Sequence, residues 1–126
     1  MNTYVYEHRI PFQDTDMAGV VHYTSVLSYV ELAEHVFLGE LGIEVISESG
    51  GLPKVHVDCD YLSPLRFGDL VNVCLTLSKC SQRSLHWRFE IKVSNTCCAK
   101  GAMTTAYVNA QGDSSAIPAM WLELLT

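Results

Sequence analysis

The feature that most constrains the fold of this chain is a long segment with helical periodicity that is apolar on nearly every side. Between Thr24 and Leu41, apolar residues recur at the spacing of one helical face, namely at Val26, Leu27, Val30, Ala33, Phe37, Leu38 and Leu41. Tyr29, Leu32 and Val36 carry apolar character to the other side of the same helix. A helix that is apolar all round is buried in the protein core. The rest of the chain must therefore supply a surface that covers it.

The ends of this helix and its acidic residues are also marked in the sequence. Thr24 or Ser25 can cap its first turn, and Gly42 can end it. On a helical wheel, Glu34 falls within the apolar arc and Glu31 lies at its edge. We therefore expect at least one of these two carboxylates to be only partly hydrated.

Five segments of strand character accompany the helix. The first runs from Tyr4 to Phe12 with alternating polar and apolar residues, and Pro11 marks an edge position or the strand end. A connector at 43–51, ending in Ser-Gly-Gly, follows the helix. The other strands are predicted at 52–62, 69–80, 84–93 and 97–108. Their separators are short and rich in turn-forming residues, so we expect an antiparallel meander. A short closing helix is predicted at 117–125, with Pro118 near its first turn.

The order of these elements predicts an α+β fold in which an antiparallel five-stranded sheet wraps around one long central helix and hides it completely. A chain of 126 residues is expected to form a single domain, which we place at 1–126. Wrapping the helix leaves the far face of the sheet uncovered. We therefore expect the protein to form a dimer or a larger homo-oligomer.

Composition and charge argue against several classes of partner. The formal net charge is −6, which does not suit the phosphate backbone of nucleic acids. Lys54 is one of seven basic residues between positions 54 and 100, and the sequence alone assigns none of them a contact. Five cysteines without a CxxC motif indicate neither a disulfide framework nor a metal site, and we predict no metal or cofactor. The N-terminus does not resemble a signal peptide, and no apolar run reaches the ~20 residues of a membrane span, so a cytoplasmic location is expected.

Two carboxylates lie in the loop that leads into the long helix. Asp14 and Asp16 follow the first strand, and Gly19 provides the flexibility for a chain reversal. The reversal would bring the loop back to the start of the helix, where the first N–H groups have no partner within the helix. An acid or base would then lie beside groups that stabilise an anion. The alternative is that both carboxylates only form Asx turns.

In the stretches DTDMAGVVHY at 14–23 and ELAEHVFLGELG at 31–42, the chain resembles the hotdog-fold acyl-CoA thioesterases of the 4-hydroxybenzoyl-CoA thioesterase type. The stretch VDCDYLSPLRFGD at 57–69 is similar to the second strand of that family and the turn after it. The resemblance covers nearly the whole chain. It implies a hotdog fold, a homodimer or homotetramer, and hydrolysis of a coenzyme A thioester at a subunit interface.

The resemblance also implies roles for single residues. Asp16 is expected to carry the catalysis as nucleophile or general base, which suits an electrophilic thioester carbonyl, whereas Asp14 is expected to shape the turn. The backbone N–H of Tyr23 is the expected oxyanion donor. Glu31 is expected to position water or substrate, with a buried structural glutamate as the alternative. His22 is a candidate contact for the acyl group, and its alternative is simple packing against the loop.

One further histidine points to the kind of acyl group. His56 lies in the run PKVHVDCDYLSP at 53–64, which is similar to the cyanobacterial type of 1,4-dihydroxy-2-naphthoyl-CoA hydrolase within the same family. This likeness implies an aromatic acyl group and a substrate contact for His56. The alternative is a strand histidine paired within the sheet.

Two other functions stay open on the sequence. A hydratase or dehydratase of the same fold uses a histidine together with a carboxylate, and His22 or His56 could serve. A non-catalytic module that binds acyl-CoA is the other, because a fold does not fix its chemistry. Asp16 favours the hydrolase, since a pure binder needs no acid beside a thioester carbonyl.

Overall fold

The structure, a computed structural model, describes residues 3–45 and 50–126. Within these residues the strands are β1 (Thr3–Arg9), β2 (Gly50–Gly51), β3 (Lys54–Tyr61), β4 (Leu70–Cys80), β5 (Ser84–Val93), β6 (Thr96–Ala106) and β7 (Val108–Asn109). The helices are α1 (Tyr23–Glu40) and α2 (Ala119–Leu125). The connector predicted at 43–51 lies in part outside the described residues, at 46–49.

Five of the strands form one sheet, in the order β1-β4-β5-β6-β3, and every neighbouring pair is antiparallel. The predicted five-stranded antiparallel sheet is therefore confirmed. Along β4 and β5, every second side chain is buried, because successive side chains of a strand point to opposite faces. These side chains and those of α1 form the core.

The prediction of a simple meander is wrong for β3. This strand pairs with β6, at the far edge of the sheet, and not with β4, which follows it in the chain. The connection at 62–69 begins against β6, where the N–H groups of Leu62 and Ser63 both donate to the carbonyl of Cys98. Turn-forming residues show that the chain reverses, but they do not show which strand becomes the neighbour. That choice is made by long-range pairing.

An irregularity in β3 decides which of its side chains face α1. The pairing with β6 shifts register between Lys54 and His56, as in a β-bulge, which adds one residue to a strand. Lys54 and Val57 therefore both line a cavity beside α1, although residues three apart in a regular strand point to opposite faces. Asp58 and Asp60 line a groove on the other face of the sheet.

The helix α1 packs on β1 and β4 with one face. Its buried residues are Val26, Tyr29, Val30, Ala33, Glu34 and Leu38. The expectation that the sheet of one chain hides this helix completely is wrong, because Leu32 is 39% exposed and Tyr23 is also exposed. A single sheet covers one side of a helix, so its other side stays open to solvent in this chain.

The limits of α1 agree with the sequence to within one residue, but its N-terminal cap does not. The cap is His22, whose side chain accepts a hydrogen bond from the N–H of Thr24, and neither Thr24 nor Ser25 takes that place. The predicted stop is confirmed, since Gly42 follows the helix with a φ of +83°, a conformation that suits glycine. The closing helix is also present as α2, with Pro118 directly before it.

Candidate active site

The loop before α1 is a tight hairpin whose base is the start of the helix. Thr15 bridges Val21 in antiparallel fashion, and the N–H of His22 donates to the carbonyl of Asp14 over 3.1 Å. At the tip, the N–H of Asp16 donates to the carbonyl of Val20 over 2.9 Å. The hairpin therefore holds Asp16 at its tip and leads directly into the first turn of α1.

The carboxylate of Asp16 is held by the backbone of its own loop. Its Oδ1 accepts hydrogen bonds from the N–H groups of Ala18 at 2.8 Å and Val20 at 3.2 Å. Gly19 makes this reversal possible, because its φ of +77° is one that other residues rarely adopt. Asp16 is exposed, and no hydrogen bond to its Oδ2 comes from residues 3–45 or 50–126. One oxygen is therefore held by the loop, and the other is without a partner among the described residues.

Asp14 has a different environment from the one predicted for it. The hydroxyl of Tyr29 donates to its Oδ2 over 2.6 Å, and burial together with this carboxylate raises the pKa of Tyr29. The Asx turn belongs to Asp16, so the prediction that Asp14 is the turn former is wrong. Both residues precede the reversal at similar spacing, and only the packing of α1 shows which carboxylate meets Tyr29.

The first residue of α1 presents a free backbone donor. Tyr23 opens the helix, and within the described part of the chain its N–H has no hydrogen-bond acceptor, as expected for a first helical position. Its carbonyl accepts a hydrogen bond from the hydroxyl of Tyr61 at 3.2 Å. Between Tyr23 and Tyr61 lies an apolar cavity of about 290 Å³, which is also lined by Val26 and Leu65.

His22 sits between the hairpin and α1. Its Nδ1 lies 2.7 Å from the hydroxyl of Thr24 and 3.3 Å from the N–H of the same residue, and its ring packs on that of Tyr23 with centroids 4.6 Å apart. One ring nitrogen is therefore engaged in capping. Its predicted contact with the acyl group stays a prediction.

Further along α1, Glu31 belongs to a cluster of three charged groups. The Nζ of Lys54 lies 3.6 Å from Glu31 Oε2 and 2.7 Å from Glu34 Oε1. Glu34 has no exposed side-chain surface, and its Oε2 has no hydrogen-bond partner. Burial raises the pKa of Glu34, and the charge of Lys54 opposes that shift only in part. The prediction of a poorly hydrated carboxylate on α1 is confirmed for Glu34, whereas Glu31 is exposed.

The cluster borders a second apolar cavity beside α1, of about 250 Å³. Its walls are Leu27, Ser28, Val30, Glu31, Lys54, Val57, Phe89 and Met103. Tyr23, Leu27 and Glu31 follow one another at four-residue intervals, so they lie along the same face of α1. The two cavities therefore lie along one face of the helix. Tyr23 and Glu31 are about 12 Å apart along its axis, at 1.5 Å per residue.

His56 does not join the hairpin within this chain. Its Nε2 lies 3.2 Å from Asp58 Oδ2, and both side chains are exposed on the face of the sheet that the bulge turns away from α1. The alternative of a strand histidine engaged at the sheet surface matches this geometry. A substrate contact for His56 stays a prediction.

Three residues beside the site were given no role from the sequence: Tyr29, Lys54 and Tyr61. Lys54 could have been suspected, because Glu34 in an apolar helical arc needs a positive partner. The partner could not have been chosen among seven bases without the pairing of β3. Tyr29 and Tyr61 carried no sequence signal beyond their apolar character.

The described residues contain no helix with the length and apolar character needed to cross a membrane. Among the same residues, no three His, Cys, Asp or Glu side chains come together in a way that could hold a metal ion.

Comparisons with known proteins point in one direction. The family model of the Thioesterase-like superfamily matches residues 10–125. A 1,4-dihydroxy-2-naphthoyl-CoA hydrolase from Synechocystis sp. is 33% identical over 95 residues, which cover 72% of this chain and 69% of that protein. The protein of the same name from Nostoc punctiforme is 28% identical over 116 residues, which cover 89% of this chain and 78% of that protein.

Among solved structures, a gentisyl-coenzyme A thioesterase superposes with a TM-score of 0.90 at 28% identity. The match covers 98% of this chain and 100% of the other. The two proteins therefore share the whole arrangement of sheet and helices.

Proposed function

The chain belongs to the thioesterase-like superfamily and is a thioester hydrolase, and from that premise we propose that it hydrolyses the coenzyme A thioester of an aromatic acyl group. The predicted membership of the hotdog-fold thioesterases is confirmed by the family match and the relatives described above. The aromatic acyl group is supported by the two relatives named for naphthoyl-CoA and by the one named for gentisyl-coenzyme A. The two apolar cavities beside α1 suit such a ring.

The observation that carries this proposal is that one hairpin leads from Asp16, whose Oδ1 is held by backbone N–H groups, to the free N–H of Tyr23 at the start of α1. The thioester carbonyl would lie against the start of α1, with its oxygen toward the N–H of Tyr23. This donor is fixed before the reaction and carries the partial positive charge of a helix N-terminus. It stabilises the negative charge that forms on the carbonyl oxygen.

Asp16 supplies the chemical group in this mechanism. Its Oδ1 is occupied by two N–H groups, so its Oδ2 attacks the carbonyl carbon or takes a proton from an attacking water. In either route the C–S bond breaks and the thiolate of coenzyme A leaves. Where Oδ2 is the nucleophile, the mixed anhydride that it forms with the acyl group is then hydrolysed by water, which releases the acid and restores Asp16. Both routes need a carboxylate with one free oxygen, and the free Oδ2 of Asp16 supports this role.

Glu31 and His22 have supporting roles in the proposal. Glu31 lies on the same face of α1 as Tyr23 and at the rim of the second cavity, so it can hold water or a polar group of the substrate. His22 holds the first turn of α1 in place through Thr24. The hydratase alternative is less well supported, because His22 is engaged as a cap and His56 faces away from α1.

We also propose that the protein is a homodimer or a homotetramer built on the edge of β3, with a second chain completing the cover of α1. Within the described residues β3 pairs on one side only, with β6. Its exposed apolar residues, Val55 at 62% and Val57 at 42%, are unusual for an edge strand, which is normally protected against pairing. Val55→Lys should therefore lower the apparent mass in analytical ultracentrifugation, and an unchanged mass would contradict this interface.

A cytoplasmic location is part of the same proposal. All five cysteines are free thiols in the structure, and free thiols persist in reducing compartments.

The experiment that tests the activity is thiol release from a panel of aromatic and aliphatic acyl-CoA esters. We expect aromatic esters to be hydrolysed with the higher kcat/KM. Asp16→Asn should lower kcat by about 100- to 10,000-fold, the range of a lost acid or base group. Full activity of Asp16→Asn would contradict its assigned role, and the absence of release from every ester would contradict the function itself.

A further inference from the structure

The cluster of Lys54, Glu34 and Glu31 has features that the hydrolysis mechanism does not use. Lys54 is only 20% exposed, and Glu34 is fully buried, with a 2.7 Å contact between them. A buried carboxylate is costly unless it is paired. Replacing such a pair by apolar residues is often neutral or stabilising, so stability alone does not explain why the chain keeps it.

The position of Lys54 relates the cluster to the substrate. It lines the second cavity together with apolar side chains such as Leu27, Val57 and Phe89. The first cavity, beside Tyr23, is lined by no charged side chain of the described residues. The ring of an aromatic acyl group that enters the second cavity would therefore meet an ammonium group in apolar surroundings.

The hydrogen-bond capacity of Lys54 is not exhausted by its partners. An ammonium group has three N–H donors. One is directed at Glu34 at 2.7 Å, and Glu31 Oε2, at 3.6 Å, is beyond ordinary hydrogen-bond distance. At least one donor is therefore available to a ligand in the cavity.

We propose that Lys54 is a specificity-determining residue, which donates a hydrogen bond to an oxygen substituent on the ring of the aromatic acyl group, and that Glu34 is the positioning residue that holds it there. This inference rests on the proposed function. The two carboxylates beside Lys54 favour a hydroxyl group as the ring substituent. A carboxylate substituent on the ring would instead be repelled by their like charges. A hydroxyl group can accept from Lys54 and also donate to the nearby Glu31.

The test compares pairs of esters that differ only in ring hydroxyls: 4-hydroxybenzoyl-CoA with benzoyl-CoA, and 1,4-dihydroxy-2-naphthoyl-CoA with 2-naphthoyl-CoA. The wild-type oligomer should favour the hydroxylated member of at least one pair by about 10- to 100-fold in kcat/KM, as expected of a hydrogen bond to a charged group. In Glu34→Met/Lys54→Met, which removes both charges together, this preference should fall to within about twofold of unity. A matched control is Lys100→Met, an exposed lysine of β6, which should keep the wild-type preference.

The positioning role of Glu34 is tested separately. Glu34→Gln keeps an oxygen that can accept from Lys54 and should keep most of the preference, whereas Glu34→Leu removes it and should lower the preference about tenfold. A purely structural role would change the melting temperature of Glu34→Leu without changing the ratio of the two kcat/KM values.

The outcomes separate the inference from the function on which it rests. Hydrolysis of both members of each pair without preference, or a preference that survives Glu34→Met/Lys54→Met, would overturn the role of Lys54 and leave the hydrolase intact. Failure to hydrolyse any ester would overturn the proposed function.

Discussion

The hairpin around Asp16 and the cluster around Lys54 hold carboxylates in opposite ways. Asp16 is exposed, and backbone N–H groups two and four residues away hold one of its oxygens. Glu34 is fully buried, and its partner lies on a strand 20 residues further along the chain. A local turn leaves one oxygen of Asp16 without a partner, which suits the proposed chemistry. A long-range pair instead fixes the charge of Lys54 within apolar walls, which suits the proposed discrimination between ligands.

The largest effect on stability should come from breaking the long-range pair. Lys54→Met leaves Glu34 buried without its positive partner, and the free energy of unfolding should fall by about 3–5 kcal/mol. Glu34→Met/Lys54→Met removes both charges and should recover most of that loss. Urea unfolding of the two variants measures the difference. A loss below about 1 kcal/mol in Lys54→Met would show that Glu34 does not depend on Lys54.

A smaller and pH-dependent effect should follow from the burial of Glu34. Because burial raises the pKa of Glu34 above its usual 4.5, the folded state binds the proton more tightly than the unfolded state. The stability of the wild type relative to Glu34→Gln should therefore be greatest below pH 4.5 and fall as the pH rises through the folded pKa, by at most about 1.4 kcal/mol per pH unit.

This pH dependence is measured by urea unfolding between pH 4 and 8. His35 lies 3.9 Å from Glu34, and its charge would lower the pKa of Glu34, so both proteins should carry His35→Gln as a common background. Lys54 and Glu31, the other charged groups that act on Glu34, are present in both proteins, so the comparison isolates the effect of Glu34. A relative stability that increases with pH would show that Lys54, and not burial, controls the pKa of Glu34.

The smallest effect on stability should come from Asp16, the carboxylate that we propose carries the chemistry. Asp16→Asn keeps an oxygen that can accept from Ala18 and Val20, so its free energy of unfolding should stay within about 0.5 kcal/mol of the wild type. Asp16→Ala loses both hydrogen bonds and should cost about 1 kcal/mol. Thermal unfolding of both variants checks this order. A large loss in Asp16→Asn would mean that its charge, and not only its oxygen, holds the hairpin.

The same contrast explains how much of the fold could be read from the sequence. The helix, predicted at 24–41 and found at Tyr23–Glu40, is fixed by a local apolar pattern with its own stop signal at Gly42. The strand predicted at 84–93 has the same bounds in the structure, because its alternating apolar residues are also a local pattern. The neighbour of β3 was not predicted, because strand pairing depends on residues far apart in the chain. The cap also differed from the prediction, since the ring nitrogen of His22 accepts the capping hydrogen bond that was expected of a Thr24 or Ser25 hydroxyl.

The candidate site divides along the same line. Asp16, His22 and Tyr23 lie in one short segment, so a motif could identify them together and the hairpin keeps them close. Lys54 reaches Glu34 only because β3 contains a bulge and pairs at the sheet edge, and neither feature has a clear mark in the sequence. His56, two residues away from Lys54, points to the opposite face for the same reason. One extra residue in a strand thus decides which side chain faces the cavity.

The central claim, that Asp16 acts together with the backbone N–H of Tyr23, is tested most directly by removing that single N–H. Proline is well tolerated at the first position of a helix, and His22, with φ of −64° and ψ of 141°, already has the extended conformation required before proline. Tyr23→Pro should therefore keep α1, as judged by circular dichroism, and lower kcat for thiol release by about 100- to 1000-fold. Tyr23→Ala, which keeps the N–H, should stay within about threefold of the wild type. Equal kcat values for a folded Tyr23→Pro and for Tyr23→Ala would contradict the account.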